Sequence, residues 1–313
     1  MVALSQLTLV QLPWLQGAVQ GFISQLSRAQ LSHAQLIGVD SGYGGHTLAK
    51  FMAETALCLS PLAAGPCGHC KACQLYQAGN HPDFYLVEAD GNQIKIDQIR
   101  ELCRKLTATA QQGGRRVAVI LNCERLNIAA ANALLKTLEE PGKDTLLLLQ
   151  SDTPGRLMAT IASRCQQVSF SPPSKEQLRQ WLSATFNVSD DLTWCLPVVG
   201  GPLPLADSLH NGQYQQLLTL RKDWAQSLST GHLCASLLTI SEQQIADALK
   251  VLYILLRQYL LQGKYTDAFI KAEIVALAAK IMQTCHSLTL MPSVNYLALC
   301  QGIVTEYTQL VTK

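Results

Sequence analysis

The first half of the chain alternates between short apolar runs and segments with helical spacing of apolar residues. The apolar runs predict strands at 34–39, 84–87, 117–121, 145–149 and 167–170. Helical spacing predicts helices at 14–31, 47–58, 98–110 and 128–139, with Asp97 as the N-cap of the third and a short helix from Arg156. Buried strands interleaved with helices favour an α/β domain with a parallel sheet covered on both faces.

The second half has a different pattern. Ser-Pro-Pro-Ser at 171–174 interrupts the alternation, and a second break rich in Gly and Pro lies at 200–204. Apart from these two breaks, the second half consists of segments with helical spacing of apolar residues, at 175–184, 213–229, 233–262, 266–286 and 293–311. The pattern therefore predicts three domains: an α/β domain at 1–170, a small helical domain at 171–207 and a helical domain at 208–313.

Composition and charge exclude several classes of protein. Apolar residues make up 48% of the 313 residues and charged residues 15%, which excludes an intrinsically disordered chain. The net charge of +2 provides no overall basic field for nucleic acid or a membrane surface. No apolar run approaches the roughly 20 residues that span a bilayer. No Lys or Arg precedes Arg28, so we expect no secretory signal and a cytoplasmic protein without membrane contact.

Four of the eleven cysteines have the spacing of a metal site. Cys58, Cys67, Cys70 and Cys73 form C-x8-C-x2-C-x2-C in one loop, 58–73. Four thiolates complete a tetrahedral Zn²⁺ shell and leave no open position, so the spacing predicts a structural zinc. His69 and His81 are possible substitute ligands. The chain contains neither His-x-Glu nor His-Glu-x-x-His, so zinc hydrolase chemistry has no support.

A Gly-rich segment at 38–48 lies where a phosphate-binding loop would be, after a buried strand and before a helix. A working loop of this kind ends in Gly-Lys-Ser/Thr, whose Lys reaches the β- and γ-phosphates. Here Gly42, Gly44, Gly45 and His46 occupy the loop. In one register Gly45 and His46 fall at the Lys and Ser/Thr positions, and in the register shifted by one His46 and Thr47 do, so neither register supplies a lysine. The segment is equally compatible with a strand-to-helix turn that never held nucleotide.

The second part of an ATPase site is also missing. A carboxylate pair at the end of a later strand should hold Mg²⁺, yet the strand at 117–121 ends in Leu121 and Asn122. Losing both the lysine and the metal ligands removes most of what stabilises phosphoryl transfer. We therefore expect no ATP hydrolysis and no productive binding of ATP and Mg²⁺, so the chain is not predicted to be an enzyme on its own.

Four motifs of the first half are distinctive: Cys67-Gly-His-Cys-Lys-Ala-Cys-Gln74, Ala78-Gly-Asn-His-Pro-Asp83, Ala131-Asn-Ala-Leu-Leu-Lys-Thr-Leu-Glu-Glu-Pro141 and Ser163-Arg-Cys165. Together they resemble the AAA+ clamp loader subunits of bacterial DNA polymerase III. The likeness is close over about 33–173, and beyond that only domain order and helical character agree. It implies a RecA-like AAA+ domain, a helical lid domain and an all-α collar domain that oligomerises.

Within this family the gamma or tau subunit keeps the ATPase residues, whereas the delta-prime type carries the zinc module and has lost them. Gly45, His46, Leu121 and Asn122 indicate the delta-prime type. The absence of Lys and Arg between Arg179 and Arg221, where an active lid would present a basic sensor, agrees with this assignment.

The resemblance also implies a role for Arg164, which taken alone would be an ordinary surface or helix-end residue. In the family the arginine of Ser-Arg-Cys is an arginine finger that reaches the ATP site of a neighbouring subunit. The implied partners are the gamma or tau and delta subunits, the sliding clamp and primed DNA. The alternatives are a gamma-like active ATPase and a zinc-dependent nucleic-acid-binding protein. Lys136, Glu139 and Glu140 are expected to form a solvated helix face.

Overall fold

The structure is a computed structural model that describes residues 9–112, 114–186, 191–288 and 294–311. Backbone contacts divide the chain into two compact units, with the boundary between Ser174 and Lys175. Each unit has its own core, and each is described by itself. The candidate phosphate loop, the cysteine cluster and Arg164 all belong to the first unit.

The first unit is built on a five-stranded parallel sheet. Its strands are β1 Ala34–Ile37, β2 Phe84–Val87, β3 Arg116–Ile120, β4 Thr145–Gln150 and β5 Gln166–Gln167. They lie in the order β2-β3-β4-β1-β5, and every neighbouring pair is parallel. Every residue of β1, β3 and β4 is buried, because helices cover both faces of the sheet. The α/β class with a parallel, RecA-like sheet is therefore confirmed.

In the described residues of the first unit, six helices accompany this sheet. They are α1 Gln16–Ser27, α2 Gly45–Leu57, α3 Lys71–Gln77, α4 Ile96–Thr107, α5 Ile128–Glu139 and α6 Ala159–Ala162. One apolar core packs β1, β3 and β4 against α4, α5 and α6. This packing places the carboxyl ends of β1, β3 and β4, and the loops that follow them, along one edge of the sheet.

Helix α5 has the predicted bounds, whereas several other predictions for the first unit were wrong in detail. Helix α1 ends at Ser27 instead of residue 31, since Ala29 adopts a left-handed backbone with φ of 54°. Helix α4 begins at Ile96, and the Lys95 N–H donates to the Gln98 side chain, so Asp97 is not its N-cap. The cysteine loop contains a helix, α3, that was not predicted, and β5 has only two residues.

All regular elements in the described residues of the second unit are helices. Its helices are α7 Lys175–Phe186, α8 Leu196–Val199, α9 Pro202–Asn211, α10 Gln213–Thr230, α11 Ala235–Leu238, α12 Glu242–Leu261, α13 Ala268–Ser287 and α14 Tyr296–Val311. Trp224 of α10 is fully buried, and its indole N–H donates to the Ala248 carbonyl of α12 at 2.9 Å. The predicted helical character is confirmed.

One long predicted helix is two helices in the structure. The segment 233–262 divides into α11 and α12 because Ser241 begins a new helix, its N–H and hydroxyl both donating to the Gln244 side chain. The predicted break at 200–204 is shorter, since Pro202 opens α9. Among the described helices, none has the length and hydropathy needed to cross a membrane.

Candidate functional site: a closed phosphate loop, a four-cysteine cluster and Arg164

The Gly-rich loop lies between β1 and α2, in the position of a phosphate-binding loop. Gly44 has φ of 93°, which an L-residue rarely adopts, and it forms the turn into α2. A phosphate at such a loop would be held by backbone N–H groups that point into it. The hydrogen bonds of those N–H groups therefore decide whether the loop can bind an anion.

Five consecutive N–H groups of this loop, from Ser41 to Gly45, donate to oxygen atoms of the chain itself. Ser41 N–H donates to the Asp152 carboxylate at 2.8 Å, and Gly42 N–H donates to the Asp40 carboxylate at 2.7 Å. The other three N–H groups donate to the backbone carbonyls of Asp40 and Ser41. A phosphate oxygen could bind these five N–H groups only by displacing these bonds.

The loop also has no room for the missing lysine. A methyl group on Gly45 would lie 1.9 Å from the carbonyl oxygen of Val39, far inside van der Waals contact. That carbonyl is fixed, because it accepts a hydrogen bond at 2.8 Å from the buried side chain of Gln150. In the register that places the lysine at Gly45, any side chain would force the loop apart.

Three carboxylates surround the loop and oppose the approach of a phosphate. Asp152 accepts from the Ser41 N–H and hydroxyl and from Gln150, while Glu124 accepts from the Ser151 hydroxyl at 2.7 Å. Burial raises the pKa of Asp40, its hydrogen bond from Gly42 lowers it, and the neighbouring charges of Asp152 and Glu124 raise it further. The site is therefore acidic where a nucleotide site is basic.

The end of β3 shows how the second part of an ATPase site is replaced. Asn122 follows the strand with φ of 49°, and its N–H donates to the Gln150 side chain at 3.0 Å. Its side-chain oxygen pairs with His46 Nε2 at 3.2 Å. His46 and Asn122 therefore contact each other, although the sequence placed them only in two separate motifs.

The four predicted cysteines converge in the structure. Their sulfur atoms lie within 4.8 Å of one another, with Cys58 and Cys70 separated by 3.9 Å and Cys67 and Cys73 by 4.0 Å. Tetrahedral Zn–S bonds of about 2.3 Å place ligand sulfurs about 3.8 Å apart. These separations are far longer than a disulfide bond of about 2.05 Å. The cluster therefore fits a metal ion held by four thiolates.

Backbone hydrogen bonds prepare the cluster for a metal. N–H groups of Cys67, Cys70 and Cys73 donate to sulfur atoms of Cys58, Cys67 and Cys70 at 3.3–3.5 Å. Burial raises the pKa of Cys70, but backbone hydrogen bonds from Cys73 and Leu59 and the thiols of Cys73 and Cys67 lower it to about 6. Burial raises the pKa of the Cys58 and Cys73 thiols. A thiolate is the form that binds a metal.

Neither candidate substitute histidine joins the cluster. His69 is exposed, and its Nδ1 lies 2.8 Å from the carbonyl of Cys67. His81 is buried, and its Nδ1 accepts from the Asp83 N–H at 3.1 Å. Burial lowers the pKa of His81. Among the described residues, the metal-binding group consists of the four cysteines alone.

Arg164 follows the short helix α6 and lies at the surface. One of its terminal nitrogens, Nη2, contacts Glu139 Oε1 at 2.6 Å, and Nη1 donates to the Thr160 carbonyl at 2.8 Å. Its side chain remains 37% exposed. A guanidinium carries five N–H donors, so the arginine is held but keeps donors for another ligand.

Sequence reasoning missed the residues that close the loop and the residue that holds the arginine. Asp40 and Asp152 follow β1 and β4, and a search for polar residues after adjacent parallel strands would have found them. Glu139 was expected on a solvated face beside Lys136 and Glu140. All three residues are exposed, as expected, and Glu139 in addition contacts Arg164 across 25 positions of sequence, a pairing that no local pattern indicates.

Comparison with known proteins identifies the family. The family model described as "DNA polymerase III, delta subunit" matches residues 14–174, just over half of the chain. DNA polymerase III subunit delta' of Pseudomonas aeruginosa is 43% identical over 203 residues, which are 63% of this chain and 61% of that relative. The same subunit of Escherichia coli is 35% identical over 236 residues, 74% of this chain and 71% of the relative.

A solved structure, a gamma subunit-related protein of DNA polymerase III from Thermotoga maritima, is 16% identical. It covers 92% of this chain and 98% of its own with a TM-score of 0.48. The alignment to the Pseudomonas relative spans less than two thirds of that relative's length. By its family match and its identity to curated relatives, the chain belongs to the DNA polymerase III delta' family.

Proposed function

We propose that this chain is a subunit of the replicative clamp loader that does not hydrolyse ATP and that supplies Arg164 to the ATP site of a neighbouring subunit. The proposal rests on a contrast between the N–H groups of the loop and those of Arg164. The N–H groups from Ser41 to Gly45 are all bonded within the chain, whereas the exposed Arg164 guanidinium keeps donors that are not. The chain thus has an exposed guanidinium that can act at the ATP site of another subunit, and it lacks the features of an ATP site of its own.

The closed loop explains why its own hydrolysis is not expected. Binding a phosphate there would break hydrogen bonds to Asp40 and Asp152, each to a charged acceptor and worth about 1.5–3 kcal/mol. It would also bring a multiply charged anion beside three carboxylates, the third being Glu124. No lysine or Mg²⁺ ligand pair offsets these costs.

An arginine finger needs a fixed guanidinium with free donors at a subunit boundary. Such a group stabilises the charge that develops on the γ-phosphate in the transition state, and it typically accelerates hydrolysis by about 10³–10⁵. Arg164 fits this role because two of its nitrogens contact Glu139 and Thr160 while its side chain remains 37% exposed.

The assembly follows from this role. The proposed neighbours are the gamma or tau and delta subunits, and together they would place the sliding clamp on primed DNA. We assign residues 1–170 to the AAA+ domain, 171–207 to the lid and 208–313 to the collar that joins the assembly. The four-cysteine cluster is proposed to hold a structural Zn²⁺, which would tie the loop 58–73 together without performing chemistry.

Two rival functions make different predictions. A gamma-like ATPase would turn over ATP as the isolated chain, and the occupied loop opposes this rival. A zinc-dependent nucleic-acid-binding protein would bind DNA tightly with a steep salt dependence, because phosphate contacts release counterions. The net charge of +2 opposes this second rival.

The test is ATP turnover with and without a partner. The isolated chain should show no turnover above background. In a loader reconstituted with its ATPase partner, Arg164→Ala should leave assembly intact and sharply reduce DNA-stimulated turnover. Arg179→Ala is a matched control, since Arg179 is also exposed and paired with a nearby carboxylate, Glu176. Turnover by the isolated chain would establish the ATPase rival, and unchanged turnover in Arg164→Ala would remove the finger.

A further inference from the structure

The contact between Glu139 and Arg164 joins two different elements of the first unit. Glu139 is the last residue of α5, and Pro141 stops that helix two residues later. Arg164 follows α6, which packs against α5. The 2.6 Å contact therefore anchors the arginine to the core-packed helix α5 as well as to its own short helix through Thr160.

The charge of Glu139 is unfavourable where it lies. The carboxyl end of a helix has a partial negative charge, so a carboxylate there is destabilising and a cation is stabilising. Helix α5 nevertheless ends with Glu139 and is followed directly by a second carboxylate, Glu140. The guanidinium of Arg164 offsets this charge, and Glu139 is the one of the two that contacts it.

The contact with Glu139 restricts the Arg164 side chain but leaves part of the guanidinium exposed to another ligand. Glu139 contacts Nη2 and Thr160 accepts from Nη1, while the Arg164 side chain remains 37% exposed, so a group with five N–H donors keeps some of them for another ligand. A long side chain that is ordered in advance loses less conformational entropy when it meets a ligand. Arg164 is therefore ordered before it meets a ligand, as a contact to a transition state requires.

We propose that Glu139 is a positioning residue that holds the Arg164 guanidinium with its remaining N–H groups directed at the γ-phosphate bound by the neighbouring subunit. The inference rests on the proposed function. Because Glu139 acts on the order of Arg164 and not on substrate binding, its loss should lower kcat and leave the KM for ATP unchanged.

The first experiment uses the isolated full-length chain. Glu139→Gln removes the charge and keeps the shape, and Glu140→Gln removes the neighbouring charge that has no ion pair within the described residues. The readout is NMR relaxation of the arginine side-chain Nε–H groups. Glu139→Gln should increase the motion of Arg164, and Glu140→Gln should not. Equal motion in wild type and Glu139→Gln would overturn the inference.

The second experiment measures DNA-stimulated ATP turnover in the reconstituted loader. An exposed ion pair has a modest effect, so Glu139→Gln should lower kcat about two- to fivefold, which corresponds to about 0.4–1 kcal/mol. Glu140→Gln should match wild type. In the Arg164→Ala background, Glu139→Gln should have no further effect, because Glu139 acts through Arg164.

The possible outcomes separate this inference from the proposed function. If Arg164→Ala abolishes turnover while Glu139→Gln equals wild type, only the role of Glu139 fails. If Glu139→Gln raises turnover, Glu139 competes with the phosphate for Arg164, and the positioning role is overturned. If Arg164→Ala leaves turnover unchanged, the proposed function fails, and the inference drawn from it fails as well.

Discussion

Substituting Gly45 tests directly whether the phosphate loop is closed. In Gly45→Ala the new methyl group would lie 1.9 Å from the Val39 carbonyl oxygen and 3.0 Å from Gln150 Nε2. Carbon and oxygen atoms pack at about 3.5 Å, so the loop must move by more than 1 Å. That movement breaks the 3.1 Å bond from Gly45 N–H to the Asp40 carbonyl and the 2.8 Å bond from Gln150 to Val39.

The expected cost follows from these contacts. Two broken hydrogen bonds at about 1 kcal/mol each, together with roughly 1–3 kcal/mol for overpacking, predict that the free energy of unfolding falls by about 3–5 kcal/mol. The assay is urea unfolding of the full chain. Gly21→Ala is the matched control, since Gly21 lies inside α1 with nothing within 4 Å of the added methyl group. This control should gain up to about 1 kcal/mol.

The lysine variant extends the test to ligand binding. Gly45→Lys restores the residue type of a working phosphate loop, yet the N–H groups of the loop stay occupied by Asp40 and Asp152. We expect it to be at least as unstable as Gly45→Ala and to bind no Mg-ATP in equilibrium dialysis. A Gly45→Lys protein with wild-type stability, or with measurable nucleotide affinity, would show that the loop is open.

Two further predictions concern the acidic loop and the cysteines. Burial raises the folded-state pKa of Asp40 above its ordinary value near 3.8. Ionisation of this carboxyl therefore lowers the free energy of unfolding as the pH rises from 3.8 through the raised folded-state pKa. Asp40→Asn should be more stable than wild type at pH 7, with the difference vanishing below pH 3.8 in urea titrations; an equal difference at both pH values would contradict this. Cys70→Ser should reduce bound zinc below one ion per chain by elemental analysis, whereas Cys234→Ser, outside the cluster, should not; full zinc content in Cys70→Ser would argue against the four-thiolate site.

Features fixed by local pattern could be predicted from the sequence. The apolar run of β4 and the spacing in α5 identified those elements to within a residue; burial on both sheet faces demands the unbroken apolar run of β4. The edge strand β2 also has its predicted bounds, although it is only partly buried. The cysteine spacing identified the metal-binding group because the C-x2-C turns by themselves bring sulfur atoms together. The absence of the loop lysine could also be predicted, because the phosphate-loop motif fixes the position of that lysine after its last glycine.

Features that depend on contacts between distant segments could not be predicted. The Ser41 N–H is occupied by Asp152, 111 positions away, and Arg164 is held by Glu139 on another helix. A single sequence records the charges of these residues but not their partners. The split at Ser241 was missed for a different reason, since apolar spacing continues across it and only the Ser241–Gln244 bonds mark a new helix.

The proposed function requires that Arg164 act at the ATP site of a neighbouring subunit while this chain hydrolyses no ATP itself. Single-turnover ATP hydrolysis by the reconstituted loader with primed DNA, comparing wild type, Arg164→Lys and Arg164→Ala, tests this requirement. Arg164→Ala should lose a factor of about 10³ or more in rate at the site that Arg164 contacts, and Arg164→Lys should also be impaired because an ammonium lacks the planar fork of donors. Wild-type hydrolysis in both variants would show that Arg164 has no such role.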